Sequence, residues 1–132
     1  MEQGIHKAAI ENRVDLLKEL IFSGVDIDSR DTEHATPLHL AAWDNASSAV
    51  QFLIKSGADI EAKDCEDQTP LHMTAWMNSV ESAEILISAG ARLDATDDSG
   101  RTPLDVARSN NYPYAPAIDV ARLLEKTTTD SR

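Results

Sequence analysis

The tetrads Thr36-Pro37-Leu38-His39, Thr69-Pro70-Leu71-His72 and Thr102-Pro103-Leu104-Asp105 stand 33 residues apart, and no other feature constrains the chain as much. One step earlier the same period lands on Gln3-Gly4-Ile5-His6. It also links Gly24, Gly57 and Gly90, then Asp31, Asp64 and Asp97, then Asn12, Asn45, Asn78 and Asn111. Several unrelated residue types sharing one period over most of the chain establish an internal repeat.

Each recurring residue has a local task. Threonine before proline N-caps a helix, and proline at the first helical position gives up an N–H that has no helical partner. Helices are therefore predicted to begin at Pro37, Pro70 and Pro103. Asparagine tolerates the left-handed conformation that closes a helix, so these first helices end at the asparagine series. The apolar residues Val14, Leu16, Leu17, Leu20 and Ile21, then Val50, Leu53 and Ile54, then Ala83, Ile85, Leu86 and Ile87 have helical spacing and predict a second helix in each unit. Gly24, Gly57 and Gly90 stop it, and a polar connection leads to the next threonine.

The tetrad, the small pair after it (Ala41-Ala42, Thr74-Ala75) and the tail Gly57-Ala58-Asp59 closely resemble the ankyrin repeat over roughly residues 1–126. The resemblance implies an all-α solenoid of about four helix-turn-helix repeats (about 1–30, 31–66, 67–99 and 100–126). It also implies β-hairpin-like turns, neighbouring units that bury one another's apolar faces, and terminal units that act as caps. Two departures stand out. The glycine usual two residues before the threonine is present at Gly100 but replaced by His34 and Asp67, and asparagine occupies the inter-helix turn where the family has glycine. In the fourth unit, aligning Leu53-Ile54 with Leu123-Leu124 requires four extra residues around 111–116, which marks a modified C-terminal cap whose Tyr112 and Tyr114 either cover the last repeat, the reading preferred, or form a second contact. The segment 127–132 has no apolar period and is expected to be a flexible tail.

Charge narrows the partners. With 12 Lys+Arg against 23 Asp+Glu in 132 residues, the formal charge of -11 repels phosphate backbones and anionic headgroups, so neither nucleic acid nor a membrane surface is expected. The first residues lack the basic and apolar regions of a secretory signal, and the single Cys65 fits a reducing compartment, so a monomer in the cytoplasm is expected. His6, His39 and His72 share one repeat position and cannot converge on a catalytic or metal centre; the resemblance implies that they tie turns together through backbone hydrogen bonds. The stretch from Asp94 to Gly100 fails as a calcium loop because Ser99 stands where such a loop requires glycine. Cys65 has no adjacent histidine or second cysteine. No enzyme, cofactor or metal reading survives.

What remains is a binding face. In the family the two residues after the small pair face the concave groove; here they are Trp43-Asp44 and Trp76-Met77. Residues 31–66 hold two basic against seven acidic side chains and residues 67–99 one against six, a net of -5 in each. Asp31, Asp64 and Asp97 recur because they shape the turn, whereas Glu33, Glu66, Asp67 and Asp98 are expected to meet a partner, together with His34 at a turn tip and Arg101. An acidic rim around two tryptophans suits a protein presenting basic residues beside an apolar anchor. The expected function is a non-enzymatic adaptor or inhibitor that binds such a segment. The alternatives are a scaffold segment of a larger assembly, or an immunity-type protein that neutralises a basic enzyme.

Overall fold

The structure, a computed structural model, describes residues 3–109 and 117–130. Among them are eight helices and no strand: α1 (Gln3–Ile10), α2 (Val14–Phe22), α3 (Pro37–Trp43), α4 (Ser47–Lys55), α5 (Pro70–Met77), α6 (Val80–Ser88), α7 (Pro103–Ser109) and α8 (Ile118–Asp130). Odd and even helices pair within each unit, and each row packs along the stack, α1 on α3 on α5 on α7 and α2 on α4 on α6 on α8. The tyrosines and prolines of the 111–116 insertion lie outside the described residues.

Helices of seven to nine residues are marginal alone in water, so their stability comes from the faces they bury. The inner row is lined with small residues, Ala8, Ala9, Ala41, Ala42, Thr74, Ala75 and Ala107, all fully buried, which lets neighbouring backbones come close. Leu38 and Leu71 from the tetrads, and Leu17, Leu53, Leu86 and Leu124 from the outer row, fill the space between the rows. Burying one such side chain contributes roughly 1.5–3 kcal/mol. Thr74 replaces an alanine of the small pair without leaving an orphan, since its hydroxyl donates to Leu71 O at 2.7 Å.

Two polar ties set the register between units. The first is asparagine. Asn12, Asn45 and Asn78 have φ of 59, 54 and 55°, the left-handed conformation their position demands. Each also reaches into the next unit, where its Oδ1 accepts from the third amide of the following outer helix: Ala49 N at 2.8 Å, Ser82 N at 3.0 Å and Val120 N at 3.0 Å. Ala46 and Ser79, which precede α4 and α6, provide no side-chain cap of their own, so the cap comes from the neighbour. The Asn45 and Asn78 amides then donate to Glu81 and Asp119, in the first turn of the same helices.

This tie corrects the alignment of the fourth unit. The asparagine and the amide it caps are 37 residues apart in the first two cases and 42 in the third, so the insertion is five residues, not four. Leu124 rather than Leu123 is the buried counterpart of Leu86. Sequence alone favoured the four-residue shift because it superposes a Leu-Ile pair on a Leu-Leu pair, and burial distinguishes members that apolarity does not. Within the segment 127–132, α8 continues to Asp130. Thr127 and Thr128 donate their hydroxyls to Leu123 O and Leu124 O, the carbonyls one turn back, and carry the helix on without an apolar period.

The second tie is histidine. His39 Nδ1 accepts from Thr36 N at 3.1 Å while its Nε2 lies 2.8 Å from Gln68 O; His72 does the same with Thr69 N at 3.1 Å and Arg101 O at 2.9 Å. Only a neutral imidazole accepts at one nitrogen and donates at the other. Burial is the largest influence on both rings and holds their pKa below the ordinary value.

Two expectations follow. Asn45→Gly keeps the backbone conformation but loses the cap, and should lower stability by about 1 kcal/mol in urea unfolding; Asn45→Ala loses both and should cost about twice that. A histidine whose folded pKa is depressed takes up its proton more readily in the unfolded chain, so its stabilisation is complete above about pH 6.5 and drains away as the pH falls through the folded value. The thermal midpoint should therefore drop between about pH 6.5 and pH 5, before ordinary carboxylates titrate.

Candidate protein-interaction groove

The groove is built from the inner helices and the turns between units. In each turn an aspartate collects two backbone amides: Asp31 Oδ1 accepts from Glu33 N and Ala35 N, Asp64 Oδ1 from Glu66 N and Gln68 N, and Asp97 Oδ1 from Ser99 N and Arg101 N, all at 2.9 Å. These three aspartates shape the turn, as the sequence implied. Burial pushes the Asp97 carboxyl up, but the amides of Arg101 and Ser99, with the Arg101 guanidinium, outweigh it and hold the group below the usual range.

Successive turns are bonded edge to edge, Cys65 N to Glu33 O and Asp98 N to Glu66 O, each at 3.0 Å. Arg30 adds a clasp, its Nη1 donating to His34 O at 2.7 Å and to Lys63 O at 2.6 Å. This ladder holds the exposed carboxylates of Glu33, Glu66, Asp67 and Asp98 along one rim. The Cys65 thiol sits among them, 3.7 Å from Glu33 Oε2. Desolvation first, then the carboxylates of Asp64 and Glu33, raises its pKa, which disfavours the reactive thiolate.

The tips carry strain. His34 and Asp67 have φ of 64 and 59°, where Gly100 at 79° occupies the equivalent position. A side chain is disfavoured in that conformation, and here two are held at exposed points of the rim.

Trp43 closes α3 and Trp76 lies near the end of α5, yet helical side chains lean toward the N-terminus, and Trp76 reaches back toward the turn. Its Nε1 donates to Gln68 Oε1 at 2.5 Å. The Arg101 guanidinium from the next unit lies 5.3 Å from the ring centroid while its Nε bonds Asp97 Oδ2 at 3.0 Å. The structure thus gathers Gln68, Trp76, Asp97 and Arg101 into one cluster, with both tryptophans half-buried. Asp44 and Met77 are not brought to the rim; Asp44 caps the end of α3 and Met77 is the last residue of α5, at the opposite end of the inner helices from the turn tips.

Sequence reasoning passed over a hollow of about 640 Å³ at the N-terminal end of the groove, lined by His6, Lys7, Ile10, Arg30, Asp31, Thr32 and Leu40. The period carried a signal for it, because Ile10 stands one repeat before Trp43 and two before Trp76. Among the described residues, no three His, Cys, Asp or Glu side chains are grouped to hold a metal ion, and no helix is long and apolar enough to cross a membrane.

These features define a helical repeat solenoid with a turn-lined concave face. A family model of ankyrin repeats, in three copies, matches residues 5–97, and the chain belongs to the ankyrin-repeat family. Repeats of this family are protein–protein interaction modules and are typically non-enzymatic. The match ends in the third inter-unit turn, and α7 with α8 adds a further helix pair beyond it. No curated protein matches the chain.

Replacing His34 and Asp67 by glycine should relieve the strained tips and stabilise the fold by up to about 1 kcal/mol each, read as a higher urea midpoint with an unchanged slope.

Proposed function

We propose that the protein is an adaptor or inhibitor whose groove binds a partner segment presenting basic residues beside an apolar anchor. The observation that carries this reading is the rim, where Glu33, Glu66, Asp67 and Asp98 are exposed on turns bonded edge to edge and the half-buried Trp76 indole is tied to Gln68 and Arg101 of those turns, with the half-buried Trp43 one unit earlier at the same repeat position. Rigid placement matters because a carboxylate on a preformed turn loses little entropy when a cation docks. The rim charge steers the encounter, and burial of the indole edges sets the dissociation rate. Arg101 covers part of Trp76, so Trp76 contributes a composite surface of ring and guanidinium rather than an open face for a partner's cation. The strained His34 and Asp67 favour the same reading, since a glycine there would be easier for the fold and the side chains remain. Among the possible partners, a basic enzyme held inactive by the groove agrees best with the net of -5 in each of the two middle segments.

Immobilised protein should retain a basic partner from source lysate at low salt and release it as salt rises. Two variants test the surface, the double Trp43→Ala, Trp76→Ala change and the triple Glu33→Lys, Glu66→Lys, Asp98→Lys change at exposed rim carboxylates, both checked for fold by circular dichroism. Both should lose the partner, with each tryptophan costing about 2 kcal/mol of binding or more. Retention by both variants at wild-type levels sinks the reading.

A further inference from the structure

We infer that the hollow at the N-terminal end of the groove is a receptor for a bulky apolar side chain flanked by a carboxylate on the partner protein. The inference rests on the groove reading above and adds a direction to it. Along the inner row the same repeat position holds Ile10, Trp43 and Trp76. An indole occupies this place in the second and third units; in the first the smaller isoleucine leaves a space of about 640 Å³ walled by Ile10 and Leu40. An aromatic or leucine side chain entering there continues the row of tryptophans by one place.

The charges at this end are opposite to those of the rim. Lys7, at the repeat position held by Leu40 and Met73 in later units, is exposed and makes no ion pair among the described residues. Arg30 spends Nη1 on two carbonyls, and its Nε and Nη2 have no partner among the described residues. The one carboxylate in the lining, Asp31, has an oxygen committed to the amides of Glu33 and Ala35. Two cations beside an apolar hollow match an acidic group adjoining the anchor, and the acidic rim beyond matches basic residues. The partner segment therefore lies with its acidic-apolar end over α1 and its basic part over the second and third turns.

The test is an amide-resolved NMR titration of the whole chain with three probes of one shape: N-acetylphenylalanine, an anion; N-acetylphenylalaninamide, neutral; and phenylalaninamide, a cation. The expected result is shifts centred on Lys7, Ile10, Thr32 and Leu40, with the anion binding about two- to fivefold tighter than the neutral probe and the cation weakest. Ile10→Trp fills the hollow with the chain's own indole and should abolish these shifts in a folded protein. Lys7→Glu, a surface change, should erase or invert the preference for the anion. The inference fails if the cation binds wild type as well as the anion, if a folded Ile10→Trp variant responds unchanged, or if no probe shifts these amides up to its solubility limit. Such a failure with tryptophan-dependent capture of a partner intact would overturn the hollow alone.

Discussion

The hydrogen bond from each tetrad histidine to a carbonyl of the following turn holds the concave side in place. His39 reaches Gln68 O and His72 reaches Arg101 O, at 2.8 and 2.9 Å, and His6 reaches the equivalent Ala35 O at 3.2 Å as well as Ser29 O at 2.8 Å. Without this bond the turns would keep their links to one another but lose a tie to the inner helices, and the carboxylates at their tips would be less firmly placed. In His39 and His72 the companion bond, from the threonine amide to Nδ1, requires a neutral ring, and burial favours that state. The same burial that makes the core makes the turns rigid, so the stability of the stack and the geometry of its rim respond together to acidification.

Asparagine does the corresponding work at the other end of the inner helices. Glycine there would satisfy the left-handed backbone equally well, and no further bond would follow. With asparagine, a residue that ends one helix also begins another in the next unit, so a local stop signal becomes a link between neighbours. The stack is thus pinned at both ends of each inner helix, by imidazole at the turns and by carboxamide at the outer helices, around a seam of alanines. The strained tips at His34 and Asp67 persist because this framework over-determines the turns that hold them.

How much was legible can be judged residue by residue. The helix starts at Pro37, Pro70 and Pro103 and the shaping role of Asp31, Asp64 and Asp97 follow from backbone chemistry that acts within a few residues, and pattern reasoning reaches that far. The pairing of Arg101 with Trp76 spans two units and depends on which of several rotamers the packing leaves open, which no periodicity reports. Asp44 and Met77 were placed in the groove by a family rule about sequence position, and the structure adds that they stand at the ends of α3 and α5. The five-residue insertion was misread because Leu123 and Leu124 are chemically alike and only one is buried.

By itself the sequence determined the period, the pairing of helices within each unit, the residues that start and stop them and the acidic character of the middle units. These are properties of short stretches or of composition, and each recurring residue repeats the same local energetics. Only the tertiary structure decided what happens between copies: that asparagine caps a neighbour, that Trp76 lies beneath Arg101, and that the first unit leaves a cationic hollow where the others carry an indole. The reason is distance along the chain. These contacts join side chains that stacking alone brings together, and their outcome depends on the shape of two surfaces, of which each repeat specifies one.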